Sequence, residues 1–196
     1  MYNHSNKKLV RYSLTKLAGG LFYYLRTKPF DEITITEICK QAGIARRTYY
    51  RNCEDKTDLI LYSTDYLVAE LLSQNDFSSE DADGQYLAFF RYWLDHREFL
   101  SLLYLNDLFG IFIEEFVNVC NEKLRISMQD EVTADDKDHV SMWMFGNSFV
   151  IGGLCSVLLR WTAEDFETSP EVIVRSMSDL YRHISPVKDL ILPGEE

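Results

Sequence analysis

Apolar residues recur along this chain with the period of a helix. Leu14, Leu17, Ala18, Leu21, Phe22 and Leu25 sit at i, i+3, i+4, i+7, i+8 and i+11, which lines one face of a helix over roughly the first 28 residues. Pro29 closes it, because the residue before a proline is pushed out of the α region. Gly19 and Gly20 interrupt that helix at about 1 kcal/mol each relative to alanine, so tertiary packing compensates or another segment approaches closely. Thr34-Ile35-Thr36-Glu37 then predicts a second start, with Thr34 as N-cap and Glu37 completing a capping box. This short helix turns Ile35, Ile38, Cys39 and Ala42 inward and stops at Gly43. Ile44 and Ala45 separate it from a further helical stretch, Arg46-Arg47-Thr48-Tyr49-Tyr50-Arg51-Asn52. Asp55 and Asp58, an acid at N-cap and another at N3, open a longer helix through about Leu72.

An acidic stretch, residues 75–84, breaks the pattern. Further helices are predicted at about 85–97, 98–107, 108–128, 135–164 and 169–185, the last with Pro170 in its first turn. Strand-like alternation of useful length is missing, as is any repeat of fixed period. The expected fold is all-α, with about nine helices.

Composition adds a core and then a puzzle. With 196 residues, 46% apolar and 14% aromatic, the chain has enough apolar surface to bury, which excludes collagen-like, low-complexity and disordered classes. Its net charge of −11 argues against a nucleic-acid partner if the charge is evenly spread. It is not. Residues 1–66 hold 11 basic and 7 acidic side chains, or +4, leaving 9 basic against 24 acidic, or −15, in residues 67–196. A basic head on an acidic body suits a polyanion-binding module joined to another unit, although ordinary fluctuation in solvated charge gives asymmetry too.

The first eight residues have no apolar run behind their lysines, so no secretory signal is expected. Cys39, Cys53, Cys120 and Cys155 lie too far apart for zinc or redox spacing and read as free thiols in a reducing cytoplasm. Residues 141–159 carry no charge, but they include Asn147, Ser148, Ser156 and three glycines. A membrane span needs about 20 predominantly apolar residues, so a buried or interfacial helix is expected there, with no membrane partner. His4, His96, His139 and His183 are scattered, and no H-E-x-x-H, G-x-S-x-G, G-x-G-x-x-G or phosphate-loop pattern occurs, so neither an enzyme nor a cofactor is expected. His139 with Asp135, Asp136 and Asp138 reads as an acidic loop rather than a metal site.

A short capped helix, a glycine turn and a second short helix opening with Arg-Arg is the helix-turn-helix arrangement, whose second helix enters the major groove. Arg46, Arg47 and Thr48 lie in the first turn of that helix, where an arginine can pair bidentately with guanine. Tyr50 and Lys56 are placed to donate to phosphates, as is Thr34 at a helix N-terminus.

The chain here resembles the TetR family of transcriptional regulators. The resemblance rests on residues 29–39 (PFDEITITEIC), then Ala42-Gly43-Ile44, Thr48-Tyr49-Tyr50-Arg51, Asp55-Lys56 and Asp58-Leu59. It implies a DNA-binding domain at residues 8–67, with the motif at 34–53, and an effector-binding and dimerisation domain at 68–196. The implied DNA contacts are Thr34, Thr36, Arg46, Arg47, Thr48, Tyr50, Arg51, Asn52 and Lys56. Two positions depart from the family pattern: Ala45 replaces the Ser or Thr that usually caps the recognition helix, and Cys53 replaces an aromatic, which predicts a looser corner.

The remainder resembles the family more loosely. Its last two long helices are expected to pair with those of a second copy, with Gly146, Ser148, Gly152, Gly153 and Ser156 permitting close approach. Trp143, Phe149, Leu154, Leu158 and Trp161 would supply apolar area, and an ordinary monomer core is the alternative. Tyr62, Tyr66, Tyr86, Phe89, Phe90, Trp93, Tyr104, Phe112 and Phe116 are candidates for a small-molecule effector pocket, yet aromatics at helical spacing also read as core. The expected function is a homodimeric, ligand-responsive repressor that binds a pseudo-palindromic double-stranded DNA operator. The rival is a co-regulator with a degenerate DNA-binding head, acting through a partner or effector.

Overall fold

Leu14, Leu17, Leu21 and Leu25 place the first helix against everything that follows. In the computed structural model, which describes residue 2 and residues 8–75, 81–127 and 137–183, α1 spans Lys8–Leu25 and buries all four. It stops short of the predicted end. The Thr27 and Lys28 N–H groups bond back to the Tyr24 carbonyl, and Pro29 leads into one 3-10 turn, Phe30–Glu32.

α2 (Ile35–Ala42) crosses α1 so closely that a Cβ on Gly20 would stand 2.8 Å from the Ile38 carbonyl oxygen and 3.4 Å from the Ala42 nitrogen. Close approach therefore explains Gly20. It does not explain Gly19, where a Cβ would meet nothing within 4 Å. Gly43 ends α2 at φ 65°, a left-handed conformation in which Ile44 N–H returns to the Cys39 carbonyl. α3 (Arg46–Asn52) then buries Tyr49 against α1 and α2.

α4 (Thr57–Gln74) uses both predicted acids, with the register shifted by one. Lys56 is the N-cap residue; the Asp55 carboxylate accepts the Thr57 N–H at 2.7 Å, and Asp58 accepts the Glu54 N–H at 2.8 Å. α5 (Ala82–Asp95) begins inside the predicted acidic break, because Asp81 caps it by accepting the Gly84 N–H at 3.0 Å. α6 (Arg97–Leu105), α7 (Phe109–Ser127), α8 (Lys137–Ala163) and α9 (Pro170–His183) complete the set. The described residues thus form nine α-helices and no strand.

One continuous apolar core runs from α1 to α9. Its centre is aromatic: Trp93 meets Phe112 edge-on at 5.2 Å, Phe89 at 6.4 Å and Phe116 at 6.0 Å. Trp161 of α8 joins it through Phe90 at 5.7 Å, and its indole N–H donates to the Thr168 carbonyl at 2.7 Å, pinning the loop into α9. Such offset and edge-on pairs add stability beyond the area they bury.

The two glycines of α1 should respond oppositely to alanine. Gly20→Ala forces backbone apart and is expected to lower stability by roughly 1–3 kcal/mol. Gly19→Ala, in open space within a helix, should raise it by about 0.5–1 kcal/mol. Urea unfolding of both variants checks the pair.

Candidate nucleic-acid interface

The N-terminus of α2 carries the predicted capping box, and its geometry commits both the hydroxyl proton and the N–H of Thr34 to Glu37. The Thr34 hydroxyl accepts the Glu37 N–H at 3.2 Å and donates to the Glu37 carboxylate at 2.7 Å, while the Thr34 N–H donates to that carboxylate at 2.8 Å. Lys28 adds its ammonium at 2.9 Å. The Thr34 backbone hydrogen bond, with Lys28 and the Thr34 hydroxyl, lowers the Glu37 pKa to about 2. The Thr34 hydroxyl proton and N–H are thus directed at Glu37, while the residue itself stays exposed at the surface.

α3 presents a different surface. Arg46, Arg47, Tyr50 and Arg51 are exposed and Thr48 is half-buried. At about 100° per residue, the four exposed side chains fall within about 140° of arc on one side of the helix. Thr36 and Lys40 of α2 are exposed as well. Residues 34–53 hold four basic side chains and one acid, a net +3 concentrated on this short motif. Ala45 is the N-cap residue of α3 and supplies no side-chain cap, as its type implies. Arg46 lies over the Tyr50 ring at 5.8 Å and donates to its hydroxyl at 3.4 Å, an i, i+4 pair that the reading of single roles missed. Tyr50 in turn packs edge-on against buried Tyr49 at 5.3 Å.

Two further expected contacts face inward. Asn52 is 2% exposed, and its amide donates to the Thr48 carbonyl at 2.9 Å, so it finishes the helix from within. Lys56 donates to the carbonyls of Phe30 and, at 3.1 Å, Ile33, with its ammonium 4.4 Å from the Phe30 ring centre. Its charge holds the 3-10 turn. Cys53 is buried at the corner where looser packing was expected, and burial pushes its thiol up to about 12.

Among the effector candidates, Phe89, Phe90, Trp93, Phe112 and Phe116 lie in the aromatic core, while Tyr66 and Tyr104 are exposed. Tyr62 ties α4 to α1: its hydroxyl donates to the Arg11 carbonyl at 3.3 Å and shares a 2.7 Å hydrogen bond with Thr15. Tyr86 is half-buried and, with Phe149, Gly152, Gly153 and Met177, lines a cavity of about 380 Å³. The Thr64 hydroxyl and Trp93 indole N–H are buried with no hydrogen-bond partner.

The dimer candidates divide. Gly146, Phe149 and Gly153 are on the exposed face of α8, where Phe149 is 75% exposed and Phe145, which sequence reading passed over, is 77% exposed. Its i, i+4 spacing from Phe149 was the available signal. Leu154, Leu158 and Trp161 point the other way and are buried, which corrects their assignment to an interface. They fill the chain's own core because α8 packs on α6 and α7 along that face. The side chain of Trp143 lies outside the described residues, as do those of the acidic loop with His139. Met144–Ala163 is long and apolar enough to cross a membrane by length and composition, with 28% of its most apolar window buried. No group of three potential metal ligands occurs among the described residues.

The C-terminal region of TetR-type transcriptional regulators matches residues 80–183, just over half of the chain. Among solved structures, Lin0861 from Listeria innocua is similar at 19% identity, covering 92% of this chain and 96% of its own, with a TM-score of 0.71. The dihydroxyacetone kinase operon activator DhaS is similar at 16% identity, over 86% of this chain and 93% of its own, with a TM-score of 0.53. At these identities the likeness is one of fold. No curated protein matches.

The capping box carries a pH dependence of known sign. A depressed folded-state pKa contributes stability that is fully present above the ordinary value of 4.5 and is lost as pH falls through about 2. Glu37→Gln should therefore be less stable than the wild type near neutrality, with the gap closing near pH 2. Urea melts across that range provide the check.

Proposed function

The chain belongs to the TetR family of transcriptional regulators, and from that premise we propose that it reads a pseudo-palindromic double-stranded DNA operator as a homodimer. In this reading residues 8–67 form the DNA-binding head and residues 68–196 the effector-binding and dimerisation body. One observation carries it: Arg46, Arg47, Tyr50 and Arg51 stand exposed on one side of α3, directly after a glycine turn. Exposed Thr36 and half-buried Thr48 add polar groups for base edges and phosphates. The acidic remainder of the chain repels DNA elsewhere and so favours approach through the heads.

Dimerisation is supported by the apolar side of α8 and α9, where Phe145, Phe149, Val172 and Leu180 are all at least half exposed. Large exposed apolar patches mark interaction sites, and a twofold pair would bury the same patch on both copies. Repression with release by a small neutral effector is the finer part of the proposal. Its support is the unpartnered indole N–H of Trp93, buried within the aromatic core, which a ligand able to accept a hydrogen bond would satisfy. The rival co-regulator reading draws on the uncapped α3 and on the inward commitment of Asn52 and Lys56.

Gel shifts on DNA selected by the wild-type protein from a random pool separate these readings. Arg46→Ala should weaken binding by about 1–3 kcal/mol and relax preference at one base. Lys56→Ala should lower the melting temperature while leaving the salt slope of DNA binding unchanged. A folded wild-type protein that selects no sequence at any salt would favour the co-regulator. Phe149→Glu places a charge on the apolar side of α8 and should convert a dimer to a monomer in sedimentation, with helix content retained.

A further inference from the structure

The corner between α6 and α7 reaches into the entrance of the DNA-reading motif. Asn106 ends α6, and its side-chain amide touches backbone in three separate segments. Its Oδ1 accepts the N–H of Phe30 at 3.1 Å, while its Nδ2 donates to the Leu102 carbonyl at 2.9 Å and the Leu25 carbonyl at 3.5 Å. Leu25 is the last residue of α1, Phe30 opens the 3-10 turn that leads into α2, and Leu102 lies in the last turn of α6. The Phe30 carbonyl is bonded in turn by Lys56, just before α4. The turn is thus gripped from the body by Asn106 and from the head by Lys56.

The other contacts between α1 and α6 are of a different kind. Phe22 packs on Phe99 with ring centres 5.2 Å apart. Arg26 pairs with Glu98 at 2.6 Å, with both side chains about half exposed or more. Apolar contact is non-directional, and an exposed ion pair constrains weakly. An amide bonded to three backbone groups is directional in each bond, so it fixes an angle as well as a distance. The next residue, Asp107, adopts φ 58°, which turns the chain sharply into α7 directly behind the amide.

We propose that Asn106 is a positioning residue that sets the angle of the head on the body, and thereby the spacing between half-sites that the paired α3 helices accept. This rests on the proposed homodimeric reading of DNA. Two recognition helices held rigidly by a dimer fit half-sites about one helical turn apart, and the sharpness of that preference depends on how firmly each head is held. Base preference within one half-site comes from α3 itself and does not involve Asn106.

The experiment uses the full-length protein and duplexes carrying two copies of its selected half-site, separated by spacers that differ by single base pairs. Asn106→Ala is expected to lose the preference for one spacer length while keeping the base preference within each half-site. Amide exchange of the free protein is expected to show faster exchange at Phe30 and unchanged exchange in α8. Should that variant fail to fold, Asn106→Asp serves, because it keeps the acceptor for Phe30 and removes both donors; it too is expected to broaden the accepted spacing. A folded variant of either kind with the wild-type spacing preference overturns the proposal. If the wild type selects no DNA, the operator reading falls and Phe30 exchange decides whether Asn106 positions the head on the body: faster exchange in Asn106→Ala upholds that role, and unchanged exchange overturns it.

Discussion

The crossing of α1 over α2 at Gly20 is the contact on which the N-terminal geometry depends. Backbone meets backbone there, with no room for a side chain, so the two axes cannot separate without losing the packing of Leu17, Leu21 and Ile38 behind them. Once α2 is fixed, the left-handed turn at Gly43 launches α3 in one direction, and buried Tyr49 anchors it. The exposed arginines then follow from helical spacing. A helix of seven residues would not hold itself in water, so its order comes from this anchoring.

Polar residues in the motif divide by what they have already bonded. Thr34, Asn52 and Lys56 have the chemistry to meet DNA, yet each already bonds within the fold: Thr34 in a surface cap, Asn52 at a helix end and Lys56 to turn carbonyls. Arg46 bonds only its surface neighbour Tyr50, and Arg46, Arg47 and Arg51 all remain outward. A buried polar group left without a partner costs more than a hydrogen bond returns, so the fold claims the donors nearest its own backbone groups first. Those that remain form the surface.

The same division runs through α8. Its apolar residues cover more than one face, and packing on α6 and α7 satisfies only the side that carries Leu154, Leu158 and Trp161. Phe145 and Phe149 keep their apolar area in water. Periodicity made the helix legible from sequence, but a helix apolar on two faces does not say which face its own chain will cover.

Local signals gave the helices, their caps and the helix-turn-helix, because hydrophobic period, capping residues and glycine act over a few residues and hardly depend on context. Thr34 with Glu37, Gly43 and the stripe from Leu14 to Leu25 appear in the structure as read. The asymmetry between +4 and −15 was equally plain, since charge adds without regard to shape. Tertiary structure alone decided which donors were already spent, which aromatics filled the core and which face of α8 stayed open. Those outcomes turn on distances between residues far apart in the chain, such as Asn106 and Phe30, and no local pattern encodes a contact across 76 positions.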